Sequence, residues 1–150
     1  MKRTLVKDCL KKIEKEVEVY GFVKKIRDHG KILFLDIEDS SGILQVVSEV
    51  KKKLKITPYS VVKIQGKIKK RPQNKINPNL KTGEIELKAK NIEILSLAKP
   101  LPFLPEKREE ISEEVRLKYR YLDLRSKTLQ RNLKKRDEVC FFVRDFLRKK

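Results

Sequence analysis

The chain has little of what most catalytic and metal centres are built from. It contains one histidine, His29, two cysteines, Cys9 and Cys140, and no tryptophan in 150 residues. A single histidine disfavours a histidine-based hydrolase and a histidine metal centre. Cys9 and Cys140 stand far apart in sequence. Without metal-type spacing they argue against a zinc site and a disulfide scaffold, and they read as small buried apolar residues. There is no Gly-rich phosphate loop and no Ser-His-Asp set. No apolar run reaches the roughly 18 residues a helix needs to cross a bilayer. Residues 1–12 lack the apolar core and cleavage site of a signal peptide, so a cytoplasmic setting is expected.

What the chain has is positive charge. Its 39 Lys and Arg against 21 Asp and Glu give a net +18. Such a field attracts polyanions, above all nucleic acid phosphates. A membrane surface is the rival partner, and the sequence favours nucleic acid over it.

Hydropathy patterning divides the chain. Leu5, Val6, Cys9, Leu10 and Ile13 follow helical spacing and predict a short helix within residues 4–16, with extended structure as the second choice. From Val17 the period becomes two. Val17, Val19, Gly21 and Val23 predict a strand that bends near Gly21. Arg27-Asp28-His29-Gly30 is turn chemistry. Leu33, Leu35 and Ile37 then share one strand face, with Phe34 and Asp36 on the other. Ile43 to Val47 form a third strand, in which Gln45 opposes Leu44 and Val46. A basic, roughly helical connection is expected over residues 49–56, ended by Pro58. Val62, Ile64, Gly66 and Ile68 alternate with Lys63, Gln65, Lys67 and Lys69, giving one apolar and one cationic face. After a loop from Pro72 to Gly83, Ile85, Leu87 and Ala89 alternate with Glu84, Glu86 and Lys88.

Three strands, a short helix and two more strands suit a mainly β domain, a five-stranded OB-fold barrel over residues 1–97. Other small antiparallel domains share such alternation. Residues 98–126 begin with the Pro-rich stretch Pro100-Leu101-Pro102-Phe103-Leu104-Pro105 and read as an extended linker and hinge. Ser112 is the expected N-cap of a helix over 112–121. Residues 127–150 form a longer helix whose stripe of Leu129, Leu133, Arg136, Cys140, Val143 and Leu147 lacks a partner in the remaining sequence.

Several ordered blocks carry a resemblance. They are Gly21-Phe22-Val23, Arg27-Asp28-His29-Gly30, Leu33-Phe34-Leu35-Asp36 and Ser41-Gly42-Ile43-Leu44-Gln45-Val46-Val47. Further on come Asn77-Pro78-Asn79-Leu80, Thr82-Gly83-Glu84-Ile85-Glu86, Lys99-Pro100-Leu101-Pro102-Phe103 and the run from Arg116 to Arg125. Together they resemble the anticodon-binding end of bacterial-type aspartyl-tRNA synthetases, a class II family. Phe22 departs from the pattern where the family often has Trp, and Lys75 falls where neutral residues are common.

The resemblance implies anticodon contact by Arg27, Phe34, Gln45, Arg71, Asn77 and Glu86. Phe34 would stack on a base, Gln45 would read a base edge, and Glu86 would accept from a base amine. It implies that His29 bears on the choice between aspartate and asparagine tRNAs. Lys63, Lys67 and Lys69 would add phosphate attraction, the alternative being a merely solubilising face. Asp28 and Asp36 read as turn and network residues rather than an acid pair.

For a full-length relative the resemblance implies aspartate–tRNA ligation with ATP and Mg²⁺, and a homodimer. Residues 131–150 resemble the helix leading into the first class II motif. Motifs 2 and 3 are not in this sequence, so no cofactor is expected on these 150 residues and no aminoacylation by them alone. A stand-alone OB-fold RNA-binding module is the competing reading, and a lysine- or asparagine-type synthetase a weaker one.

Overall fold

The computed structural model describes residues 2–49 and 55–149. The chain folds as two compact units, Met1–Lys99 and Pro100–Lys150.

In the first unit five strands close a barrel. They are β1 (Glu16–Asp28), β2 (Ile32–Asp39), β3 (Gly42–Glu49), β4 (Val61–Lys70) and β5 (Ile85–Ser96), in the order β1-β2-β3-β5-β4. The β3–β5 pairing is parallel and short, Val46 against Leu87 and Val47 against Lys88. The other four seams are antiparallel. This is the expected OB-type barrel. Strict alternation produces it, because every second side chain must leave water. Val19, Leu35, Ile37, Leu44, Val46, Ile64 and Leu87 are all fully buried. Closure also pairs the strand edges that would otherwise stay open.

The departures have local causes. The expected N-terminal helix is a 3-10 turn, Val6–Lys11, which sends Val6 and Cys9 into the core. Its start is tied to the β2–β3 turn: the Asp39 carboxylate accepts from the Val6 amide at 2.9 Å, and the Ser41 hydroxyl accepts from the Lys7 amide at 3.0 Å. The irregularity in β1 falls between Val23 and Lys25 rather than at Gly21. In β4 the register shifts between Gln65 and Gly66. A Cβ on Gly66 would run into the Lys88 carbonyl oxygen, so only glycine lets β5 approach there. β5 continues past Ala89 because Ile92 and Ile94 pair with Ile64 and Val62 beyond that shift. Most of the basic connection expected over 49–56 lies outside the described residues.

The second unit is helical. The expected linker carries a 3-10 turn, Pro105–Glu110, and Phe103 is buried. The single helix expected over 112–121 is two, α1 (Glu113–Lys118) and α2 (Arg120–Asp123), broken at Tyr119 where φ is −108° and ψ 44°. Ser112 occupies the N-cap position but its side chain makes no capping bond. The serine that caps is Ser126, accepting from the Leu129 amide at 3.4 Å at the start of α3 (Lys127–Arg148). Asp123 is fully buried. It accepts from Arg108 at 2.7 Å and from Arg120 at 2.6 Å. The Arg108 hydrogen bond holds its carboxyl below the usual aspartate range. The stripe on α3 is largely solvent-exposed, with Leu133 at 50% and Leu147 at 65%.

Candidate nucleic-acid interface

The outward faces of β2, β3 and β5 meet in a groove of about 730 Å³. Register creates it. Arg27 pairs with Phe34, Phe34 with Val47, and Val47 with Lys88, a continuous row across β1, β2, β3 and β5. One step along β2, Asp36 pairs with Gln45. These side chains share a face because their neighbours Leu35, Val46 and Leu87 are committed to the core.

Phe34 stands half-buried on the groove wall. The His29 ring meets it edge-to-face, with centroids 5.5 Å apart and planes at 89°. His29 itself is exposed in a turn where the Asp28 carboxylate accepts from the Gly30 amide at 2.8 Å. Gly30 has φ 75°, which suits glycine. Phe34 lines the groove, and an aromatic ring so placed can stack on a nucleic acid base.

Beside it lies a fixed polar network. Arg27 donates through two nitrogens to Asp36, at 2.8 and 3.2 Å, and at 3.3 Å to the Gln45 side-chain oxygen. Arginine only donates, so Gln45 must turn its oxygen to Arg27. Its amide nitrogen is the group left for a ligand. The two aspartates thus hold a turn and a network, as the sequence suggested.

Arg71 follows β4 and lines the same groove with Glu86. Its Nε donates to the Ile85 carbonyl at 3.1 Å and lies 3.9 Å from the Glu86 carboxylate. One guanidinium nitrogen, Nη2, is buried with no partner among the described residues. Burial pulls Arg71 below its ordinary pKa, and the Glu86 and Asp36 charges oppose that shift. A buried donor without an acceptor is costly and invites one from a ligand.

The remaining sequence-predicted residues have other settings. The Asn77 side chain accepts from the Asn79 amide at 3.0 Å, and Asn77 is not among the groove-lining residues. It shapes the loop that carries Arg71 and Lys75. Lys63 is paired with Glu93 at 2.9 Å; Lys67 and Lys69 share Glu14 at 2.9 and 2.7 Å. Their charge is partly spent on neighbouring carboxylates, and none of the three lines the groove. Sequence reasoning passed over Lys88, Glu49 and Val47, which do line it. The signal was available for Val47 and Lys88, which follow the buried Val46 and Leu87.

Residues 17–95 match the family model for an OB-fold nucleic acid binding domain. Curated relatives match beyond the barrel. The chain is 45% identical over 137 residues to an aspartate–tRNA(Asp/Asn) ligase of Thermotoga maritima, covering 88% of this chain and 23% of that protein. It is 46% identical over 140 residues to the enzyme of the same name from Ruthia magnifica subsp. Calyptogena magnifica, covering 90% of this chain and 24% of that one. The chain therefore spans about a quarter of the length of these curated relatives. In fold it is similar to an aspartyl-tRNA synthetase from Entamoeba histolytica, with a TM-score of 0.82 at 24% identity over 98% of this chain and 37% of that one. No helix among the described residues is long and apolar enough to cross a membrane.

Proposed function

Since this chain belongs to the OB-fold nucleic acid binding domain family, we propose that its groove binds the anticodon loop of a transfer RNA, as the recognition part of an aspartate–tRNA ligase. The observation that carries the reading is the groove itself: a half-buried aromatic at Phe34 flanked by an oriented donor on Gln45, an acceptor on Glu86 and an unsatisfied donor on Arg71. Loop bases of RNA can be splayed out, stacked and read at their edges, as duplex bases cannot. Phe34 supplies stacking, which tolerates any base. Gln45 and Glu86 supply sequence choice, one donating and the other accepting. Arg71 takes a base carbonyl or a phosphate oxygen.

The names of the curated relatives support a partner set of tRNA(Asp) and tRNA(Asn). His29, packed on the edge of Phe34, is the residue of this chain we assign to the choice between them. In the full ligase, ATP and Mg²⁺ would activate aspartate before transfer to the tRNA end, in a cytoplasmic homodimer. The 150 residues here supply recognition and carry no motif for ATP or aspartate. Detectable charging of tRNA by the purified chain would refute that division of labour.

The test is affinity across anticodon stem-loops that differ by single loop bases. Preference for one loop sequence, lost on Gln45→Ala or Glu86→Ala, is the expected result. Equal affinity for every loop would instead favour a general RNA-binding module.

A further inference from the structure

Over residues 127–135 α3 has one apolar and one basic face; farther along, the exposed Phe141 and Phe142 return to the basic side. At about 100° per residue, Leu129, Leu133, Cys140, Val143 and Leu147 fall on one side. Lys127, Arg131, Lys134 and Lys135 fall on the other, lining a shallow concavity of about 380 Å³ together with Gln130 and Glu138. All four cations are exposed, and none forms an ion pair among the described residues. The contrast with β4 is direct, where Lys63, Lys67 and Lys69 each meet a carboxylate within 2.9 Å.

We propose that this basic face of α3 is a second RNA contact, one that grips the phosphates of a base-paired stem. The four cations lie within nine residues, eight steps of about 1.5 Å or about 12 Å of helix. That is long enough to follow several successive phosphates. No aromatic stands among them, so the strip positions RNA without reading its bases. A helix with cations on successive turns suits a duplex backbone. The arrangement disfavours a bilayer. A helix lying on lipid buries its apolar face and needs its cations beside that face. Over residues 127–135 they project from the side opposite Leu129 and Leu133, away from the headgroups. The inference takes its class of partner from the anticodon reading but stands on different residues.

The experiment uses the 150-residue chain with two RNA probes, an anticodon stem-loop and a loopless duplex of the same stem. One variant combines Lys127→Gln, Arg131→Gln, Lys134→Gln and Lys135→Gln. A control combines Lys63→Gln, Lys67→Gln and Lys69→Gln. Each phosphate neutralised contributes roughly 0.7–0.9 to the slope of log affinity against log salt. The α3 variant should therefore lose about 3 units of slope on both probes, and the control clearly less per charge removed. Preference among loop sequences should survive the α3 substitutions. If the duplex binds through α3 while loops are not discriminated, the anticodon reading fails and this one stands. An α3 variant with unchanged slope overturns the proposal. So does equal or tighter α3-dependent binding to phosphatidylserine vesicles. Gln preserves helix, which circular dichroism checks. Should the variant misfold, acetylation of the unsubstituted chain still decides. Bound duplex should shield Lys127, Lys134 and Lys135, and unshielded lysines would sink the idea.

Discussion

Phe34→Ala separates a binding aromatic from a core aromatic. Stacking of a base on an aromatic ring is worth about 1–3 kcal/mol by alanine substitution. At about 1.4 kcal/mol per tenfold, affinity for an anticodon stem-loop should fall roughly 5- to 150-fold. The folding cost should be small. Phe34 is half-exposed, and the aromatic contact it loses is the single edge-to-face one with His29, worth about 0.5–1.5 kcal/mol. The next residue is the internal standard. Leu35 is fully buried, and Leu35→Ala should cost about 2–5 kcal/mol of stability. Affinity is read by fluorescence anisotropy and stability by urea denaturation followed by circular dichroism. Phe34→Leu, which keeps apolar bulk but no π-face, should lose affinity nearly as Phe34→Ala does. The reasoning is refuted if Phe34→Ala changes affinity less than twofold, or if it unfolds the barrel as readily as Leu35→Ala.

Gly66→Ala should destabilise the barrel by about 1–3 kcal/mol, because the new methyl meets the Lys88 backbone rather than a movable side chain; an unchanged urea midpoint would contradict the close approach. Asp123 has its pKa lowered in the fold, so its contribution is fully present above the ordinary aspartate value of 3.8 and is lost as pH falls below it. Asp123→Ala should accordingly lower the Tm of the second unit at neutral pH and differ less from the parent in acid, with tyrosine fluorescence as the probe. Burial raises the Cys9 thiol to about 11, whereas Cys140 is half-exposed. Near pH 8 a thiol reagent should modify Cys140 first and reach Cys9 only on unfolding; equal rates, resolved by peptide mass, would contradict the burial of the N-terminal turn.

The barrel was legible because it is written in a period of two, and burial enforces that period residue by residue. Val62, Ile64 and Ile68 declare an inward face in sequence, and they are buried in fact. The ends of elements were less legible. The 3-10 turn at Val6–Lys11 is held by Asp39 and Ser41, more than thirty residues away, which accept its first amides. No local window contains that information. Ser112 and Ser126 look alike as caps, yet only Ser126 bonds the helix that follows. The groove was half legible. Phe34 and Gln45 stood out as functional types on a polar strand face. The pairing of Lys67 and Lys69 with Glu14 did not, since it joins β4 to a residue before β1.

The groove's polar groups differ in how finished they are, and that difference bears on selectivity. Arg27 is complete without a ligand: its bidentate bond to Asp36 and its bond to Gln45 are already made. Under the proposed reading its part is to hold Gln45 in one orientation, so that less rotamer entropy of that amide need be lost on binding. Arg71 is the reverse. Its position is fixed by the Ile85 and Lys75 carbonyls, yet Nη2 has no acceptor. A loop that brings an oxygen there recovers a desolvation cost already incurred in the free protein. A loop that cannot leaves that donor buried and unmet, and sites of this kind reject the wrong ligand more strongly than apolar pockets do. Under the proposed anticodon reading, stacking on Phe34 then sets how tightly any loop is held. Under that reading, discrimination between loops falls to Gln45, Glu86 and Arg71, polar groups whose hydrogen bonding the fold leaves incomplete.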